Sequence, residues 1–450
     1  MLAVSCLLCL GLLKHLSGRP SASVRWAAHD VNSTSQTTST PRGNATTTHS
    51  PQQDADCQQL QGLEDVVIVL KTGATEIYEK LPIHLATTFA CAPSPLEYLV
   101  YSDIGQRFGP VLVRDVLALV SQEMRDTHEG LAQYRRLQQH VALGADAAEL
   151  KGEKSWGLDK YKFLPMVSDA YHTFGAAKKW YVLHNLLLWL DTLDARQSIY
   201  AGAQVMIGNT EFAHGGSGFV MSAPAAKGMT DVYETQQAYW ERKLADECGG
   251  DKLMAEVLLE ADPPIHHLRS FPLIQGETLM SLDWSPTHWC NPAVTWHHVD
   301  AAGIDKLWQF ERVWRGKYGA RRPILFADDY DGFVRDRLTA THGAIDGWDN
   351  LSKDWEYERG IIIDPSYESA AACAFACVSR LECLQWAWRP RLCRHGKTVR
   401  LGWALNKRPA LGSAEDRVAH TEDGENEGAV SGWLLVRIEA FRREQGSCER

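Results

Sequence analysis

Strand-length apolar runs alternate with amphipathic stretches through the first half of this chain. After Asp65, Val66-Val67-Ile68-Val69-Leu70 is a continuous apolar run that reads as a buried strand, and Lys71-Thr72-Gly73 reads as the turn leaving it. An amphipathic helix follows from Glu76 towards Phe89, and Glu97 to Tyr101 forms a second strand ending at Ser102-Asp103. Helical patterning then fills Val111 to Leu150. Asp159 stands where a helix N-cap is expected, ahead of Phe163, Met166, Val167 and Tyr171 on one face. Lys179 to Leu183 reads as a third strand, and a Leu- and Trp-rich helix begins near Asn185. Strand, turn and helix in this order predict an α/β fold with a parallel sheet. Ligands of such sheets sit at the carboxyl ends of the strands, where Thr72-Gly73 and Ser102-Asp103 fall.

The second half is more mixed. Ser198 to Ile207 is strand-like and leads into the glycine-rich stretch Phe212-Ala213-His214-Gly215-Gly216-Ser217-Gly218. A helix is expected from Thr235 to Asp246. It reaches Cys248-Gly249-Gly250-Asp251, from which a further helix over 252–260 departs with Asp251 in the N-cap place. Val294-Thr295-Trp296-His297-His298-Val299 comes later, followed by Asp328-Asp329-Tyr330-Asp331, which reads as a solvated loop.

Charge and cysteine usage narrow the class. The 450 residues carry a formal net charge of −10, which speaks against nucleic acid as a partner, since phosphate contacts need a basic surface. Leu2 to Leu13 is a short apolar run followed by Lys14 and His15, the pattern of a signal-peptide core or short signal anchor, with small residues for cleavage at Ser21-Ala22-Ser23. No later stretch approaches the roughly 20 apolar residues of a membrane span, so membrane attachment is expected only through that N-terminal segment. Residues 32–50 are mostly Ser and Thr, the composition of a glycosylatable stalk, and hold two of the three N-glycosylation sequons, at Asn32 and Asn44; the third is at Asn350.

Of the eleven cysteines, Cys6 and Cys9 lie in the apolar run, and the remaining nine fit an oxidising compartment. Cys373, Cys377, Cys383 and Cys393 crowd together at spacings unlike those of zinc sites, so disulfides are expected among them. An odd count leaves one thiol without an intrachain partner, expected to be Cys448 or Cys57. A further expected pair is Cys248 with Cys290. The organisation is therefore a signal peptide or anchor (1–23), a stalk (24–60), a large α/β domain (61–360) and a small Cys-rich module with a tail (361–450).

The ordered set Val66 to Gly73, Tyr101-Ser102-Asp103, Leu158-Asp159-Lys160-Tyr161-Lys162-Phe163-Leu164-Pro165, Phe212 to Gly218, Cys248 to Asp251 and Val294 to Val299 resembles the fungal branch of glycosyltransferase family 31. That group is related to fringe and to the core 1 β-1,3-galactosyltransferase. The cysteine cluster with Gln385-Trp386 looks like the apple/PAN-like module such proteins carry.

The resemblance implies a GT-A (Rossmann-like) glycosyltransferase domain. It also implies an inverting transfer of a sugar, galactose in β-1,3 linkage by family expectation, from a UDP-sugar donor to a glycan or glycoprotein acceptor in the Golgi lumen or outside the cell. Thr72, Gly73, Asp103, Lys162, Gly215 and Gly216 become donor-site candidates, Lys162 as a reach towards the diphosphate although its position alone reads as a solvated helix residue. Asp251 becomes the general base and His297 a ligand of Mn²⁺. One piece is missing. The family carries an acidic D-x-D-like motif after the strand matching Trp180-Tyr181-Val182, whereas here Leu183 runs straight into His184-Asn185-Leu186-Leu187. The gap is either an error in the gene model or a true deletion. A true deletion leaves an impaired scaffold serving as a glycan-binding or secreted adhesion protein.

Overall fold

The computed structural model describes residues 65–90, 98–182, 187–319, 322–358, 364–405, 428–446 and 448. The N-terminal apolar run, the stalk with its two sequons, and Cys57 lie outside the described residues. Among the described residues no helix is long and apolar enough to cross a membrane.

The chain is mixed α/β. Its main sheet has eight strands in the order β10-β6-β9-β5-β1-β2-β4-β3. These are β1 (Val66–Lys71), β2 (Tyr98–Ser102), β3 (Gln106–Phe108), β4 (Val111–Asp115), β5 (Trp180–Val182), β6 (Tyr200–Gly202), β9 (Phe219–Ser222) and β10 (His267–Arg269), with β7 (Gln204–Ile207) and β8 (Thr210–Ala213) forming a separate hairpin. The centre, β5-β1-β2-β4, is parallel, while β9 runs antiparallel to both β5 and β6. In β1 the side chains feed both faces. Val67 and Val69 join a core with Leu99, Tyr101, Leu164 and Met229. Leu70 joins another with Ile77, Leu81, Val100 and Val113. A strand buried on both sides needs an apolar residue at nearly every position, which is why the Val66–Leu70 run does not alternate.

Helix α1 (Ile77–Ala86) covers one face. Helix α2 (Ala132–Ala142) packs with α3 (Phe163–Phe174), α4 (Ala223–Thr235), α5 (Gln237–Asp246) and α6 (Gly250–Leu259) against the other. The helical reading of Val111 to Leu150 is corrected at its start. Residues 106–115 form an antiparallel hairpin, with Val111 and Val113 buried and Leu112 exposed between them. That period-two signal is too short to outweigh the helical stretch beyond it. The helix expected over Thr235 to Asp246 is α5, starting at Gln237, and Thr235 ends the preceding α4, which is capped by the Ser222 hydroxyl with Pro224 in its first turn.

After the long helix α7 (Ala301–Tyr318) come β11 (Ala344–Asp346), β12 (Trp348–Asp349), β13 (Trp355–Glu358), α8 (Ala370–Ser379), β14 (Gln385–Arg389), β15 (Leu392–Gly396), β16 (Trp403–Ala404), β17 (Val430–Trp433) and α9 (Leu435–Glu444). Five of these strands form a small sheet in the order β11-β17-β14-β15-β13. A second core of Trp284, Trp289, Phe326, Tyr330, Trp433 and Ile438 joins this region to residues 282–338. The Asp328–Asp331 stretch is correspondingly no solvated loop. It turns through short helical segments, and Asp329 is buried.

Disulfides join Cys373 to Cys393 and Cys377 to Cys383, as the clustering predicts. Two other expectations are overturned. Cys290 is bonded to Cys448, so Cys290 is not the partner of Cys248 and Cys448 is not the odd thiol. Trp289 packs its ring against Phe441 of α9 and brings the two cysteines together, a contact that sequence spacing does not encode. The third sequon is also closed. Asn350 is fully buried, and its Nδ2 donates to the carbonyls of Trp386 at 3.0 Å and Gly432 at 3.2 Å, so the folded chain offers no amide there for a glycan.

Candidate functional site

The carboxyl ends of β1 and β2 lie side by side, and the residues just beyond them are tied together. Asp103 is buried. Its Oδ1 accepts from the Ala74 amide at 2.6 Å and the Ser102 hydroxyl at 3.2 Å, and its Oδ2 lies 3.3 Å from Lys162 Nζ. Lys162 also donates to the Thr72 carbonyl at 2.9 Å and lies 3.4 Å from Asp159 Oδ1. Its side chain is only 2% exposed, which corrects the reading of a solvated helix residue. The one-turn segment Asp159–Lys162 faces inward because Leu158, Tyr161 and Phe163 anchor it in the core, and the lysine follows with three oxygens to meet it. Gly73 stands 3.9 Å, measured from an added Cβ, from both Asp103 Oδ2 and Lys162 Nζ.

Asp159 is not a helix cap. It leads the one-turn segment, and α3 starts at Phe163 with no side-chain cap. Its two oxygens go instead to Lys162 and Lys71, the latter pair in direct contact. Lys71 Nζ also sits 4.2 Å above the Phe163 ring. Burial raises the Asp159 carboxyl, but Lys71 and Lys162 outweigh it and hold the pKa below the usual carboxylate value. Burial pulls the Lys71 ammonium below the usual lysine value against the pull of Asp159. Buried charges are tolerated only when paired in this way.

Phe163 links this group to the glycine-rich turn. An added Cβ at Gly215 would stand 2.4 Å from Phe163 Cζ and 3.3 Å from Asp251 Cβ, so only glycine fits. The Gly215 amide donates to Asp251 Oδ2 at 2.8 Å, and the Lys252 amide donates to Oδ1 at 2.9 Å. Asp251 is the second residue of α6, whose cap position is Gly249. The capping role read for it is therefore replaced by a clamp on the glycine turn. Its carboxylate faces the positive end of the helix, a favourable place for an anion.

His214 and His297 complete the wall, with their rings 5.0 Å apart and nearly perpendicular. His297 Nδ1 lies 3.0 Å from the Gly276 carbonyl, a partner that requires a donor, so Nε2 keeps its lone pair. That Nε2 points at Gly216, 2.8 Å from where a Cβ would stand. Burial, then the neighbouring His298 and His214, push the His297 pKa down to about 4, and the ring is neutral at pH 7. Thr72, Gly73, Asp103 and Lys162 thus form one cluster and Gly215, Gly216, Asp251 and His297 a second, with Phe163 between them. Lys71, Phe163 and His214 belong with them, although nothing in the sequence pattern sets them apart. Lys71 read as part of a turn, Phe163 as core and His214 as flanking the glycines.

The donor set does not suit Mn²⁺, a hard cation that takes carboxylate oxygens. Asp103 and Asp159 are engaged by ammonium groups, Asp251 by backbone amides, and His297 is faced by a second imidazole. From Leu183 to Leu190, the stretch leaving β5, the sequence has no acidic residue. Among the described residues the one group of three metal-type ligands is Cys373, Cys393 and His395, and its two sulfurs are bonded to each other. No protein-family model and no curated protein sequence matches this chain.

Proposed function

We propose that this chain is a GT-A-type inverting glycosyltransferase that moves a sugar from a UDP donor onto a hydroxyl of a glycan or glycoprotein acceptor. The observation that carries the reading is that Thr72, Gly73, Asp103 and Lys162, beyond the ends of two parallel strands, are linked through Phe163 to the turn where Gly215 and Gly216 meet Asp251 and His297. Thr72, Gly73, Asp103 and Lys162, with Gly215 and Gly216, would hold the donor, and Asp251 would face the acceptor. The parallel β5-β1-β2-β4 core with an antiparallel β9 beside it supports the fold assignment. Galactose in β-1,3 linkage remains the transfer implied by the sequence resemblance. The three disulfides among the described residues suit the lumen of the secretory pathway or the exterior.

In this reading Asp251 accepts the proton of the attacking hydroxyl. Its two oxygens are fixed by the Gly215 and Lys252 amides, so the carboxylate is held still, and each oxygen keeps a lone pair. Gly215 and Gly216 let the turn backbone lie directly against Phe163, Asp251 and His297. The test is release of UDP from a panel of UDP-sugars with acceptor, with and without Mn²⁺, by the wild type and by Asp251→Asn. A panel that gives no acceptor-dependent UDP release refutes the proposal. The absence of carboxylates between Leu183 and Leu190 favours one second reading, a glycan-binding or adhesive scaffold of the same fold. Glycan binding without turnover would select it.

A further inference from the structure

We propose that Lys71 is the cation that receives a diphosphate at this site, that Asp159 holds its place until the ligand arrives, and that binding needs no divalent metal. The inference rests on the donor-site reading above and names the group that does the work there.

Lys71 ends β1, at the carboxyl edge of the parallel strands where ligands of such sheets collect. Its ammonium is placed by more than the strand, because the Phe163 ring lies beneath it at 4.2 Å. Asp159 spans Lys71 and Lys162 with one oxygen each, the arrangement that two oxygens of a phosphate would adopt between two ammoniums. The three partners differ in freedom. The Asp159 side chain is 36% exposed, that of Lys71 12%, and that of Lys162 2%. Only the carboxylate can turn out into water.

The charges follow the same logic. Lys71, Lys162, Asp103 and Asp159 sum to zero. With Asp159 turned away, Lys162 keeps Asp103 in direct contact, while Lys71 keeps only the more distant pull of Asp251. A buried ammonium stripped of its counter-ion is costly, so Asp159 leaves only when another anion replaces it. Lys162 stays fixed by Asp103 and the Thr72 carbonyl and acts as a positioning charge behind Lys71. Asp103 and Asp159 are both engaged, and no acidic residue follows β5 before Asp191, so the positive charge for a diphosphate has to come from the chain itself.

The experiment is titration calorimetry of the full-length protein with UDP and with inorganic pyrophosphate, in EDTA and in Mn²⁺. Both ligands are expected to bind in EDTA with little gain from Mn²⁺. Lys71→Met should weaken both by about 10- to 100-fold, as loss of a charge-assisted contact does, while Lys71→Arg keeps most of the affinity. Asp159→Asn removes the competing anion and should tighten binding by about tenfold. UDP binding that appears only with Mn²⁺ overturns the inference, as does a folded Lys71→Met that binds like wild type. If melting shows that Lys71→Met does not fold, Asp159→Asn decides, and no gain in affinity there is fatal. Metal-free, Lys71-dependent UDP binding without sugar transfer would leave the inference standing and remove the transferase reading. Mn²⁺-dependent transfer indifferent to Lys71 would do the reverse.

Discussion

Gly250→Ala tests the packing beneath the site with a single methyl group. Gly250 opens α6, a position where alanine is intrinsically better than glycine by up to about 1 kcal/mol. Space reverses the sign. An added Cβ would lie 2.0 Å from the carbonyl oxygen of Lys160 and 2.7 Å from Phe163 Cδ2. No side-chain rotation relieves contact with a backbone carbonyl, so the start of α6 and the 159–163 segment must part by about an ångström. Overpacking of this kind costs about 1–3 kcal/mol or more, which exceeds the propensity gain and leaves a net loss of about 1–2 kcal/mol. For a chain of this size that lowers the melting temperature by a few degrees. The moved segments carry Asp251 on one side and Lys162 on the other, so UDP affinity should fall with stability. Gly316→Ala in the last turn of α7 is the matched control. Nothing lies within 4 Å of its added Cβ, and the same change there should stabilise by up to about 1 kcal/mol. The assay is paired thermal melts by circular dichroism. A Gly250→Ala protein that melts at or above the wild type would refute the close approach of α6 to Lys160.

Asp251→Asn should cut any transfer by about 10²–10⁴-fold while leaving UDP affinity near wild type, read by initial rates and calorimetry; wild-type turnover removes Asp251 as the base. Cys290→Ser should cost about 2–5 kcal/mol, because the lost bond closes a loop between residues 158 apart, and a melt indistinguishable from wild type would deny it that role. Burial, with Asp328 and Glu311 adding charge of the same sign, raises the Asp329 carboxyl well above its ordinary value. Its folded pKa exceeds the unfolded one, so its contribution is whole below about pH 4 and is lost as pH rises towards the folded pKa. Asp329→Asn should therefore melt higher than wild type at pH 7 and show no such gain at pH 3.5. Glycopeptide mapping of the secreted, folded protein should find Asn350 bare, since its amide is committed to Trp386 and Gly432.

The sequence discloses the parts of this fold that depend on local pattern. β1 and β2 are readable because burial on both faces forces unbroken apolar runs, and Thr72-Gly73 and Asp103 follow from where those runs stop. The Phe163–Tyr171 stripe of α3 is readable from its period. What stays hidden depends on partners far along the chain. Lys162 reads as a solvated helix residue because its counter-ion Asp103 and its acceptor at Thr72 belong to strands far upstream. Asp159 reads as a cap because the Lys71 that claims it is 88 residues away. The β3–β4 hairpin is lost because two buried valines are too few to announce a strand. The Cys290 pairing is lost because cysteine spacing fixes no connectivity.

The Cys290–Cys448 bond also sets an order of events during synthesis. At about 5–20 residues per second, Cys290 waits about 8–30 s for residue 448 to be added, whereas the pairs 373–393 and 377–383, separated by 20 and 6 residues, can close as soon as they emerge. Throughout that interval the Cys290 thiol is open to oxidation and to pairing with the wrong cysteine. Any wrong bond formed in that time has to be exchanged before Cys290 can reach Cys448. A clone cut just short of Cys448 would retain every residue of the candidate site and still leave the cell with a thiol that has no partner to wait for.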